Sequence, residues 1–244
     1  MKLNCDLGES FGAWKMGLDD EVMPHIDMAN IACGFHGGDP DVIADTLYLA
    51  KQHNVQIGAH PSYPDQQGFG RRSMALSAQE LTNCLHYQIA ALDGMAKVQG
   101  LTLSYVKPHG ALYNDMMKND HILQTVITAI AHYPAPLKLM LLATKDSAKH
   151  TFAANSLGVD LILEAFADRQ YTDEGHLVSR HLDGSVHDKP ALLAQVKQLL
   201  TDGCVTTRSG NTLNLNANSL CVHGDNAAGI ALIKEIKSLC VSAT

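Results

Sequence analysis

With 244 residues, 46% of them hydrophobic and 18% charged, the chain can bury roughly three quarters of its extended surface and is too apolar for intrinsic disorder. Its 25 acidic against 18 basic residues give a net charge of −7 without a long run of either sign, so nucleic acid is not an expected partner. No stretch of about 18 apolar residues exists, and Met1-Lys2-Leu3-Asn4-Cys5-Asp6 turns polar too early for a signal peptide; no membrane is expected, and the cytoplasm is the expected compartment.

A first strand is expected over Lys2 to Leu7 and a second over Ile26 to Ala32. Asp39-Pro40 then reads as an N-cap and first-turn proline, opening a helix whose Ile43, Leu47 and Ala50 recur at i, i+4 and i+7. A third strand, Val55 to Ala59, leads into residues 61–73, which lack apolar periodicity and exceed an ordinary connection. Ser77-Ala78-Gln79-Glu80 is a capping box, and Leu81, Leu85, Ile89, Leu92 and Ala96 form the stripe of the helix behind it. Strands follow over Thr102 to Lys107, Lys138 to Ala143 and Asp160 to Ala165, and then a second aperiodic stretch, 168–188. Pro190 opens a helix that Gly203 closes, Ser219 to Val222 is a seventh strand, and a last helix runs from about Ala227 to Cys240. Seven short β-type runs alternating with helical ones predict an α/β barrel with a parallel sheet, as one domain spanning residues 1–244.

The six cysteines, Cys5, Cys33, Cys84, Cys204, Cys221 and Cys240, form no C-x-x-C pair and read as small buried hydrophobes. The chemistry lies where the strands end. Asn4-Cys5-Asp6-Leu7-Gly8-Glu9, Cys33-Gly34-Phe35-His36, Ala59-His60-Pro61, Lys107-Pro108-His109, Glu164-Ala165-Phe166-Ala167-Asp168-Arg169 and Val222-His223-Gly224-Asp225 each follow an apolar run. In a parallel barrel these ends meet on one face, so the groups share one pocket although they are far apart in sequence. Imidazoles and carboxylates together suit proton transfer, and Lys107 adds a fixed positive charge for an oxyanion or phosphate. Gly68-Phe69-Gly70-Arg71-Arg72 sets two guanidinium groups on a flexible turn, able to fork onto a carboxylate or phosphate. From these residues alone the site is hydrolytic, with sugars, esters and amides all open.

Several chemistries leave no trace. There is no G-x-x-x-x-G-K-[ST] loop, no Rossmann glycine fingerprint and no G-x-S-x-G elbow. No compact zinc signature appears either; His36, His60 and Asp6 could gather a divalent ion from separate strands, but a bound metal is not expected.

The blocks NCDLGESFG, NIACGFHGGDP, GAHPSYPDQQGFGRR, VKPHGALYN, EAFADRQY and CVHGD span residues 4–225, and through them the chain resembles the LamB/YcsF family. The resemblance implies a distorted seven-stranded β/α barrel of the glycoside hydrolase/deacetylase type. It implies the reaction 5-oxo-L-proline + ATP + 2 H2O → L-glutamate + ADP + phosphate, a cyclic amide hydrolysis carried out with companion B and C subunits. ATP is then needed in the complex, and with no phosphate-cradling motif in this chain its chemistry falls mostly to the companions.

Carried onto this sequence, the family's blocks make Asp6, Glu9, His60, Lys107, His109 and His223 the catalytic candidates. Asn30, His36, Arg72, Glu164, Asp168, Arg169 and Asp225 become the substrate-binding candidates. In that reading Lys107 and Arg72 hold developing negative charge, which disfavours a metal ion at the same place. Two other readings stand beside it: a metal-dependent polysaccharide deacetylase or glycoside-hydrolase-like enzyme, and a non-catalytic subunit that only binds 5-oxoproline.

Overall fold

The computed structural model describes residues 1–179, 182–223 and 227–242. The elements follow one another as β1 (Lys2–Leu7), α1 (Asp19–Val22), a 3-10 turn (Met23–His25), β2 (Met28–Ala32), α2 (Pro40–Gln52), β3 (Gln56–His60), α3 (Ala78–Val98), β4 (Tyr105–Val106), α4 (Gly110–Met116) and α5 (Asp120–Ala131). Then come β5 (Lys138–Leu142), α6 (Ser147–Asn155), β6 (Leu161–Phe166), α7 (Lys189–Asp202), β7 (Cys204–Thr206), β8 (Thr212–Asn214), β9 (Ser219–Cys221) and α8 (Ala227–Ser242). Strands β1, β2, β3, β4, β5, β6 and β9 close in that order into a barrel, and every pair is parallel. All seven expected strands are present. The fourth is cut short to Tyr105–Val106, although Ser104 and Lys107 still donate their amides to Ile57 and Ala59 across the ladder.

The two-residue period of the strands separates the barrel's outside from its inside. Leu3, Ala29, Ile31, Ile57, Ala59, Val106, Leu139, Leu141, Ala165 and Leu220 belong to the large buried cluster under the helices. The intervening positions point inward. Met28, Tyr105 and Met140, with Ile162 against them, form a small separate apolar base. Asn4, Asn30, Lys107, Glu164 and Ser219 are buried above it, so the interior is polar where the strands approach their C-terminal ends. Gly58 makes room for this change: a Cβ there would lie 2.3 Å from the Tyr105 ring, which crosses the barrel at that level.

The helices start where their caps require. Asp39 accepts from the amides of Asp41 and Val42 with Pro40 at the first position, and Ser77 and Glu80 close the capping box of α3. Leu85, Ile89 and Leu92 of α3 are fully buried, each such side chain contributing about 1.5–3 kcal/mol by leaving water. Gly203 ends α7 in the left-handed region that glycine tolerates best.

The sequence reading omits α1, α4, α5, α6 and the antiparallel β7–β8 hairpin, which is inserted before β9 and stands outside the barrel. Arg208-Ser209-Gly210 turns that hairpin, and strands of three residues are too short to show a period. All six cysteines are free, and five are buried. Among the described residues no helix is long and apolar enough to cross a membrane.

Candidate active site

Lys107 is the last inward residue of the fourth strand segment, and its ammonium lies inside the barrel. Its Nζ is 2.9 Å from Asp6 Oδ1, 3.1 Å from Glu164 Oε2, 3.2 Å from Asn4 Oδ1 and 3.4 Å from Cys221 Sγ. Each carboxylate also takes a second donor. Asn30 donates to Asp6 Oδ1 at 2.7 Å and itself accepts from the Tyr105 hydroxyl; Tyr113 donates to Glu164 Oε1 at 2.7 Å. Two buried carboxylates around one buried ammonium are costly unless every lone pair and proton finds a partner, and here nearly all do. Burial works against charge at both Lys107 and Asp6. It is outweighed: the Asp6 charge holds Lys107 well above the usual lysine range, and the charges of His60 and Lys107 hold Asp6 well below the usual carboxylate range.

Above this network four loops bring Glu9, His36, His60 and His109 together. His36 Nε2 is 3.2 Å from Glu9 Oε1, His109 Nδ1 is 3.5 Å from the same oxygen, and His60 Nε2 is 3.4 Å from Asp6 Oδ2. The His36 and His109 rings stack at 3.7 Å, and Phe69 packs edge-on against both. Phe69 has φ 52°, in the left-handed region that non-glycine residues pay about 1–2 kcal/mol to enter. That bend aims its carbonyl at His109 Nε2, 2.9 Å away. Gly70 follows because nothing larger fits: a Cβ would lie 2.8 Å from His109 Cδ2 and 2.9 Å from His36 Cβ.

Backbone carbonyls settle two tautomers. His60 Nδ1 is 2.7 Å from Lys107 O and His109 Nε2 is 2.9 Å from Phe69 O, and a carbonyl oxygen only accepts. Both of those nitrogens therefore carry hydrogen. The remaining ones, His60 Nε2 and His109 Nδ1, face each other at 3.0 Å. If both rings are neutral, two lone pairs confront each other, so a positive charge must lie between them. Burial lowers the affinity of all three imidazoles for a proton. His36 and His109 sit well below the ordinary histidine value, while for His60 the Asp6 charge reverses the effect and raises it. Glu9 is pushed the other way from Asp6, upward, by burial and by the Asp6 charge. Two neighbouring carboxyls driven apart in this manner are equipped for different roles.

A cavity of about 680 Å3 opens over these groups at the C-terminal end of the barrel, a size suited to a small metabolite. Asp6, Glu9, His60, Lys107, His109 and His223 all line it. His223 Nδ1 lies 3.1 Å from Asp168 Oδ2, and that carboxylate raises the histidine's proton affinity against the effect of burial.

The LamB/YcsF family model matches residues 1–243. The chain belongs to the LamB/YcsF family. It is 54% identical over 236 residues to the 5-oxoprolinase A subunit numbered 2 of Pseudomonas putida, covering 96% of this chain and 92% of that protein. It is 52% identical to the 5-oxoprolinase A subunit of Vibrio parahaemolyticus, covering 97% of this chain and 94% of that one. Among solved structures, the lactam utilization protein of Thermus thermophilus superposes with a TM-score of 0.91 at 36% identity, covering 100% of this chain and 96% of that chain.

Within this LamB/YcsF barrel the expected site residues separate by depth. The six catalytic candidates and Arg169 reach the cavity, Arg169 also donating to Val178 O at 2.6 Å. Asn30 and Glu164 do not line it; both are fully buried, with their polar atoms engaged by Asp6, Lys107, Asn4 and the two tyrosines. His36 is buried beside Glu9, and Asp168 acts through His223. Arg72 is the displaced one. Its side chain is 64% exposed and pairs with Asp65, while Arg71 beside it lines the cavity and lies over the Phe69 ring. Asp65 also accepts from the Gly68 and Arg72 amides, and this local carboxylate turn captures the second arginine and leaves the first for the site. Asp225 lies outside the described residues.

Asn4, Tyr105 and Tyr113 escape the sequence reading of the site. Asn4 shares the inward parity of Asp6, a signal that the strand pattern contains. Tyr113 sits one helical turn beyond His109, on a helix too short to be recognised.

Proposed function

We propose that this chain opens the lactam ring of 5-oxo-L-proline to give L-glutamate, as the A subunit of an ATP-dependent complex with B and C subunits. Support comes from the relatives named as 5-oxoprolinase A subunits, matched over nearly their whole length, and from a cavity that offers the required proton transfers. The observation that carries the reading is that Asp6 and Glu9 share the cavity in unlike settings, Asp6 drawn toward its anion by His60 and Lys107 and Glu9 driven toward its protonated form by burial and the Asp6 charge.

A lactam is a poor electrophile. Transfer of the ATP γ-phosphoryl group to its carbonyl oxygen, which the B and C subunits would promote, prepares the carbon for water. Glu9 takes the proton of that water as its oxygen bonds to the carbon, the ring C–N bond breaks, and His223 protonates the departing nitrogen. A second water releases phosphate from the acyl phosphate, which accounts for both waters. The positive charge held between His60 and His109, together with Arg71, faces the oxygen on which negative charge develops. Lys107 is too fully engaged for that task, and Arg72 is outside the cavity; Lys107 serves by keeping Asp6 ionised.

An ATP-coupled glutamate-release assay with and without the B and C subunits tests this. Glutamate is expected only from the full mixture. Full turnover by this chain alone would overturn the division of labour. Unchanged turnover with Asp6→Asn in the complex would select the non-catalytic binding subunit instead.

The histidine cluster favours one second reading, a metal-dependent polysaccharide deacetylase or glycoside-hydrolase-like activity. Chelator-sensitive release of acetate from an acetylated sugar, with no action on 5-oxoproline, would establish it.

A further inference from the structure

We infer that Glu9, His36, His60 and His109 form a binding site for one divalent transition-metal ion of the zinc class. The geometry of the cluster alone carries this; with an ion held through Glu9 Oε1, the base role proposed for Glu9 falls to its other oxygen.

The tautomers come first. Backbone carbonyls at Lys107 and Phe69 occupy the distal N–H of His60 and His109, which is how metal-binding imidazoles are usually oriented: one nitrogen anchored to the protein, the other presented as a lone pair. Those lone pairs, 3.0 Å apart, point at common ground with Glu9 Oε1, which is 3.5 Å from His109 Nδ1 and 3.9 Å from His60 Nε2. His36 Nε2 joins at 3.2 Å from Glu9 Oε1, and Asp6 Oδ2 stands beside the cluster, 3.4 Å from His60 Nε2. One ligand atom each from Glu9, His36, His60 and His109 falls within 4.8 Å of all the others. Donors about 2.0–2.2 Å from an ion at tetrahedral or octahedral corners stand about 3.0–3.5 Å from one another. The observed separations bracket that range.

A proton on His60 Nε2 would relieve the confrontations with His109 and Asp6, but would leave His109 Nδ1 facing Glu9 Oε1. A divalent ion relieves all of them together, and it balances the charges of Glu9 and the outer oxygen of Asp6. Imidazole with carboxylate suits zinc, cobalt, manganese or iron better than calcium or magnesium. Asp6 also approaches Cys221 and His223, but the Lys107 ammonium, 2.9 Å from Asp6 and 3.4 Å from Cys221, already supplies the cation there. Lys107 and the cage take opposite oxygens of Asp6, so a lysine beneath does not compete with an ion above. Arg72 does not compete either, being drawn off to Asp65.

The test uses the full chain, stripped with chelator and dialysed, then titrated with zinc and with cobalt(II). One zinc per chain by elemental analysis is expected, with visible cobalt d–d bands, and zinc should move the imidazole 15N resonances of His60 and His109. Glu9→Gln and His109→Asn should each weaken zinc binding at least tenfold while near-ultraviolet circular dichroism stays native. The inference falls if the wild-type chain binds no zinc at millimolar concentration. It also falls if His109→Asn binds as tightly as wild type, or if the His60 and His109 resonances report a shared proton at saturating zinc. Should a variant fail to fold, the wild-type resonances decide. None of these readouts depends on turnover of 5-oxoproline, so loss of the proposed activity and loss of the metal site are separate results.

Discussion

The lower and upper halves of this site are built from the same residue types with opposite outcomes. Around Lys107, the carboxylates of Asp6 and Glu164 meet an ammonium, two asparagines and two tyrosines, and donors are matched to acceptors. Around His109, acceptors meet acceptors, with the lone pairs of His60 and His109 turned toward each other and toward Glu9, and Asp6 facing His60. A matched network stabilises and orients; a mismatched one stores affinity for something that is not protein. Lys107 and Asp6 join the two, because the lower network fixes the charge and direction of the one carboxylate that also faces the cage.

The largest effect should come from breaking the lower half. Lys107→Met leaves the buried Glu164 and the half-buried Asp6 without their cation, and unfolding by denaturant should show a loss of about 3–5 kcal/mol. A loss below about 1 kcal/mol would mean that the Lys107 ion pairs do not hold the lower network together and that the networks are not distinct.

Glu9→Gln attacks the upper half and should behave in reverse. Turnover in the reconstituted complex should fall about 10²- to 10⁴-fold while the denaturation midpoint hardly moves. Equal damage to stability and rate would erase the distinction.

The pH dependence of stability in chelator-treated protein sharpens the comparison further. His36 and His109 bind protons less readily when folded, so the unfolded chain takes up more protons between the ordinary histidine value near 6.5 and their folded values. Their contribution is present above about pH 6.5 and is lost as pH falls below it. Asp6, depressed in the fold, contributes stability above the ordinary carboxylate value, lost only in stronger acid. His36→Asn should therefore flatten the decline between about pH 6.5 and 5 and leave the lower limb in place. Denaturation series at several pH values check it, and an unchanged slope would refute the assignment.

The smallest effect separates the adjacent arginines. Arg71→Ala should raise the KM for 5-oxoproline about tenfold, as expected for one lost charge-assisted contact, and leave the melting temperature unchanged. Arg72→Ala should do the opposite, with a slight loss of thermal stability through the Asp65 turn and no change in KM.

The seven strands and their order were legible because each strand announces itself locally, through two-residue alternation and a polar residue with glycine or proline where it ends. That Asp6, His60, Lys107, His109 and His223 share a cavity followed from the same pattern, since parallel strands bring their ends to one face. Depth was not legible. Asn30 and Glu164 each lie two residues before the end of β2 and β6, and only the register of those strands against their neighbours places them beneath the cavity. Nor could adjacency distinguish Arg71 from Arg72, because a carboxylate turn at Asp65, seven residues before Arg72, decides which one leaves the site.

By itself, then, the sequence determined an α/β barrel, its caps, and a cluster of acids and imidazoles at one end. The tertiary structure alone decided that two of those imidazoles present lone pairs to each other. That depends on carbonyls of Lys107 and Phe69, which are backbone groups invisible to any residue pattern. Donors drawn from four separate strand ends also have no spacing in sequence to betray them, and only the closure of the barrel brings them within reach of one ion.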